Sequence, residues 1–233
     1  MRRKDWAIGM TCALTFLFCA SGEAEDARAV YAAMAPLAQY QVGSRSEEVA
    51  LARSAAPTAI SGDAEVQTLG ERGYETAVKG KNGFVCMVWR SWADGFGDAE
   101  FWNPKVRAPI CLNAAAVRTI LAGYLERTKW VLAGVSKSDM LDRTRTELAA
   151  KTYVLPEPGA ISYMMSKQGY LSDADGHAHP HLMFFLAHTD GAAWGANLNG
   201  SPIFAAQSDP EPVTTFFVPV MKWSDGTPAV MKH

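Results

Sequence analysis

The chain has 233 residues, 48% of them hydrophobic, and its 22 Lys and Arg nearly balance its 24 Asp and Glu. A near-neutral chain with interspersed charges has no electrostatic footprint for DNA or RNA and no polybasic patch for a membrane surface. The composition also excludes disordered, collagen-like and membrane-spanning classes.

Arg2, Arg3 and Lys4 precede an apolar stretch from Trp6 to Ala20, and small residues follow at Ala20, Gly22 and Ala24. This is the three-part order of a secretory signal. The stretch is shorter than the roughly 20 residues a spanning helix needs. Residues 1–24 therefore read as a signal peptide. Residues 25–233 read as one globular domain, exported to the periplasm or beyond. Cleavage would remove Cys12 and Cys19 and leave Cys86 and Cys111, which in an oxidising compartment are expected to form a disulfide.

Alanine-rich residues from Asp26 to Gln41 carry Val30, Met34, Leu37 and Ala38 at helical spacing, which predicts a first helix broken at Pro36. Ser44-Arg45-Ser46-Glu47 is a capping box opening a second helix that ends before Pro57. The period then changes to two, predicting strands over 64–69, 74–79 and 83–90. Asn82-Gly83 is a hairpin signal, so these three are expected to form an antiparallel meander. In the third strand Val85, Met87 and Trp89 face one side and Cys86 and Val88 the other. With both faces apolar, that strand should be central.

Residues 91–109 read as a long aromatic loop. Asn113 then caps an amphipathic helix with a stripe through Val117, Ile120, Leu121, Tyr124 and Leu125, stopped at Gly134. Another helix is predicted from Ser138 to Lys151, and strands over 160–166, 181–187 and 213–221. The order indicates an α+β fold, with a mainly antiparallel sheet, two central helices packed on it and helices near the N-terminus.

Four of the five histidines fall between His177 and His188. In an extended segment His177, His179 and His181 project to one side, a donor set suited to one transition metal ion, zinc, copper or nickel. Asp173 and Asp175 lie near enough in sequence to add a ligand. Met183, Met164 and Met165 would suit copper. His177-x-His179-Pro180 with Asp190 downstream shares the spacing of JAMM-type zinc metalloproteases. That family has a strand before the motif and a Ser three residues before the Asp, whereas this chain has a polar turn and Ala187, and the match is set aside. No nucleophile elbow, phosphate-binding glycine loop or dinucleotide fingerprint occurs. The expected function is an exported protein binding a transition metal through His177, His179 and His181. The alternatives are a metal-dependent hydrolase using the same histidines, or an organic-ligand module walled by loops bearing Trp92, Trp102 and Trp194.

The segments Asn82-Gly83-Phe84-Val85-Cys86, Glu100 to Lys105, Pro109-Ile110-Cys111, Tyr163 to Tyr170 and His177 to Phe185, taken together, resemble a family of exported bacterial proteins without an assigned activity. The resemblance covers most of the chain beyond the leader. It implies an extracytoplasmic bacterial protein and supplies no reaction, ligand or catalytic residue.

Overall fold

The computed structural model describes residues 31–174, 176 and 179–229; the signal peptide read in residues 1–24 lies outside them. The expected first helix is absent from its described part. Tyr31 to Pro36 are not helical, and only a short 3-10 turn, Leu37–Gln39, follows. Pro36 withholds the N–H a helix interior needs. Helix α1 (Arg45–Arg53) starts where the capping box places it: the Glu47 N–H donates to Ser44 Oγ at 3.2 Å, and Ser44 Oγ donates to Glu47 Oε2 at 2.9 Å. A single turn, α2 (Thr58–Ser61), leads into the sheet.

The eight strands are β1 (Glu65–Gly70), β2 (Gly73–Val78), β3 (Val85–Trp89), β4 (Ala108–Leu112), β5 (Ile161–Met164), β6 (His181–Ala187), β7 (Phe204–Gln207) and β8 (Val213–Pro219). They form one sheet in the order β2-β1-β3-β4-β5-β6-β8-β7. Every neighbouring pair is antiparallel except β1 and β3, which run parallel over Glu65↔Val85 and Val66↔Cys86.

That parallel pair replaces the expected meander. After the β1–β2 hairpin the chain crosses the start of β1 and enters β3 on its other side. Gly80 makes the crossing possible: a Cβ there would lie 2.2 Å from the Glu65 nitrogen. Asn82-Gly83 serves this crossing and not a hairpin, with Asn82 Nδ2 donating to the Ile60 carbonyl at 2.7 Å. Burial explains the choice. β2 is half-exposed, whereas Val85, Cys86, Met87 and Val88 are all buried and need neighbours on both edges.

After β4, Asn113 caps α3 (Ala114–Ala116), its Oδ1 accepting from the Ala116 N–H at 3.0 Å. A π-helical turn (Val117–Leu121) carries the helix into α4 (Ala122–Leu132), and α5 (Lys137–Ala150) follows. Gly134, at φ 72°, ends the first run as expected.

The alternation of β3 divides the core in two. Val85, Met87 and Trp89 join Ile110, Leu112, Leu121, Val131 and Met140 on the face covered by α4 and α5. Cys86 and Val88 join Ala52, Ala55, Val66 and Cys111 under α1, whose small residues let it lie close to the strands. Cys86 and Cys111 are directly opposite each other on β3 and β4 and form the expected disulfide. Among the described residues no helix is long and apolar enough to cross a membrane.

Candidate functional site

The helices cover only half of the sheet. Over β5, β6 and β8 the α4-side face, with its side chains largely buried, floors a cleft of about 880 Å³, within the range of small-molecule sites. Met164, Met183, Phe185, Thr215 and Phe217 contribute to this floor, consistent with their strand registers. Gly123, Tyr124 and Arg127 of α4 form one wall; the segments around Asp94 and Glu211, with Tyr153, close the others. Gly123 sits inside a helix, where a Cβ would meet nothing within 4 Å. Glycine in such a position costs about 0.5–1 kcal/mol relative to alanine, so helix stability is given up at the cleft wall.

The walls carry an excess of negative charge. Arg90 lines the cleft but is neutralised behind it: fully buried, it donates to Glu48 Oε1 at 2.7 Å and to the Tyr40 carbonyl at 2.6 Å. Tyr124 Oη accepts from the Arg90 backbone N–H at 2.9 Å and shares a hydrogen bond of 2.9 Å with Tyr74. Arg127 is also fully engaged. Its Nη1 donates to the carbonyls of Trp92 (3.0 Å) and Asp94 (2.9 Å), its Nη2 pairs with Glu211, and its guanidinium lies 4.4 Å from the Phe96 ring centre. Glu126 pairs with Lys129. Asp94, Asp98, Glu147 and Asp209 remain on the cleft walls without an ion-pair partner among the described residues.

Asp94 has no side-chain hydrogen-bond partner among the described residues either. Burial, reinforced by the neighbouring Asp98 carboxylate and only partly offset by Arg127, pushes its carboxyl up to about 7. Glu147 is raised by burial and then by Glu126 and Glu211, and the Tyr153 hydroxyl is raised by burial and then by Glu211. In each case burial is the main cause and neighbouring acidic groups add to it, with Arg127 only partly offsetting the shifts of Asp94 and Tyr153.

The histidine set is only partly described. His177 and Asp175 lie outside the described residues. His179 is exposed, whereas His181 opens β6 and lines the cleft. His181 Nδ1 lies 2.7 Å from the His179 carbonyl, an acceptor only, so Nδ1 carries the proton and the neutral ring has its lone pair on Nε2. Burial pulls the His181 pKa down, keeping the ring neutral. Asp173, expected as a further ligand, is already engaged by Lys105 Nζ, Tyr31, Tyr170 and Asn103, and these partners hold its carboxyl far below the usual range. Among the described residues no group of three His, Cys, Asp or Glu is arranged to hold a metal ion.

The tryptophans do not share a cavity. Trp92 and Trp102 are core residues, the Trp92 indole donating to Thr128 Oγ1 at 3.0 Å. Trp194 is 60% exposed and packs on Phe216 on the opposite face of the sheet. The aromatic loop therefore fills the core, and none of these three indoles lines the large cleft, which instead meets Trp89 of β3. The cleft's polar residues escaped the sequence reading because they come from segments scattered between residues 94 and 211. The one local hint was a glycine inside the stripe-bearing helix.

No family model, curated protein or solved structure matches the chain.

Proposed function

We propose that this is an exported binding protein whose cleft takes a small organic molecule with an apolar body and a positively charged, basic end. The observation that carries the reading is the pairing of an apolar sheet floor with wall carboxylates that lack cations of their own. An apolar body covers the part of the floor that remains accessible, chiefly the half-buried Phe217 ring, at roughly 25 cal/mol per Å² of apolar surface removed from water. An ammonium beside Asp94 supplies the charge that the protein withholds. A disulfide in the core fits export to an oxidising compartment.

The test is calorimetric titration of the leaderless protein with octylamine, octanol and octanoate. Octylamine should bind at least about ten-fold more tightly than octanol, a difference of 1.4 kcal/mol, and octanoate most weakly. Asp94→Asn should bring octylamine to the level of octanol. Equal affinity for all three would remove the basic end from the reading, and no binding of any would remove the cleft as a ligand site.

A further inference from the structure

The strand registers bring together three soft or borderline donors on the cleft floor. Met164 of β5 is directly opposite His181 of β6, and Met183 lies two residues along β6 on the same face. Directly opposed residues have Cβ atoms about 4.5–5.5 Å apart, and diagonal ones about 7–8 Å. All three residues line the one cleft. Methionine, with three rotatable side-chain bonds, spans such separations readily.

The His181 ring is prepared for ligation. Its Nδ1 is occupied by the His179 carbonyl, the outer-shell contact that fixes a metal-binding imidazole and leaves Nε2 as the donor atom. Phe217 is paired with Met183 and packs against the His181 ring at 5.7 Å between centres, giving the position an apolar shell. No thiol competes: beyond the leader the chain has only Cys86 and Cys111, and they are bonded to each other.

We propose that Met164, His181 and Met183 form a binding site for a soft monovalent metal ion of the Cu(I) class. Two thioethers and one imidazole favour Cu(I) over zinc or nickel. This donor set is not the His177/His179/His181 set expected from the sequence, and it is independent of whether the cleft also takes an organic ligand. No electron transfer is involved; the ion binds and is released without changing oxidation state.

Ag(I), a redox-inert stand-in that needs no reductant and so spares the disulfide, is titrated calorimetrically into the leaderless protein in chloride-free buffer. One equivalent should bind, and the methyl resonances of Met164 and Met183 should shift in carbon-13 NMR. Met164→Leu/Met183→Leu conserves volume and should weaken binding by about 100-fold, or 2.7 kcal/mol, with the melting curve preserved. His177→Ala/His179→Ala should leave the affinity within about three-fold. Loss of binding in that second variant would assign the ion to the turn and overturn the site. Unaltered binding in the double-leucine variant would overturn it equally, as would wild-type binding no tighter than free methionine gives.

Discussion

Replacing Asp94 by Asn removes a charge from the cleft wall while keeping the side chain's shape. In the folded protein this carboxyl titrates at about 7 against an ordinary 3.8. Because the folded value lies above the unfolded one, ionisation opposes folding. The cost is absent below about pH 4, grows as pH rises towards 7 and is complete above that. Three pKa units at 1.36 kcal/mol each set a ceiling of about 4 kcal/mol. The side chain is only partly buried, so solvent screening brings the expected figure to about 1–2 kcal/mol. Urea unfolding of parent and variant at about pH 5 and pH 8 measures it. Asp94→Asn should be the more stable protein at the higher pH, with most of the gain gone at the lower one. A variant no more stable than its parent at pH 8, or a difference that ignores pH, would refute the reasoning. Combined with weaker octylamine binding, the stabilisation would mark Asp94 as a residue retained for function at the expense of the fold.

Three further places in the fold give testable outcomes. Glu48→Ala leaves the Arg90 guanidinium buried without its carboxylate and should cost about 3–5 kcal/mol in urea unfolding; adding Arg90→Met should recover most of that loss. Reducing Cys86–Cys111, which spans a sequence separation of 25, should lower stability by about 3.5 kcal/mol through loop-closure entropy, read from unfolding curves with and without reductant. Gly123→Ala should raise stability by about 0.5–1 kcal/mol, since the new methyl meets nothing. Gly123→Phe, in contrast, should fill the cleft and abolish octylamine binding in the titration while the melting curve is kept.

The elements that were legible in the sequence are those specified by local chemistry. The Ser44–Glu47 box, the Asn113 cap and the Gly134 stop each act within four residues, and all three appear where their residues place them. The double-sided apolar run of β3 correctly indicated a central strand, and its two faces enter the two core clusters. Its pairing partner was not legible, because the close approach of Gly80 to Glu65 depends on tertiary contact and not on turn chemistry. β4 is short and contains Pro109, and β7 is a mostly exposed edge strand of four residues, so neither carries a periodic signal. The floor of the site was legible through His181, Met164 and Met183, which the sequence singled out as metal-ligand types and the fold places side by side in the cleft. Asp94, Arg127, Glu147 and Glu211 meet across separations of up to 117 residues (94 to 211), where no spacing rule operates.

The cleft's role as the ligand site is tested most directly by methionine-methyl NMR of residues 25–233 titrated with octylamine. The side chains of Met164 and Met183 lie on the floor, whereas Met140 is enclosed in the core and Met221 is exposed outside the cleft. Saturable shifts of the Met164 and Met183 methyls, with Met140 and Met221 unmoved, are the predicted result. Shifts confined to Met221, or floor resonances that stay fixed up to millimolar amine, would contradict it.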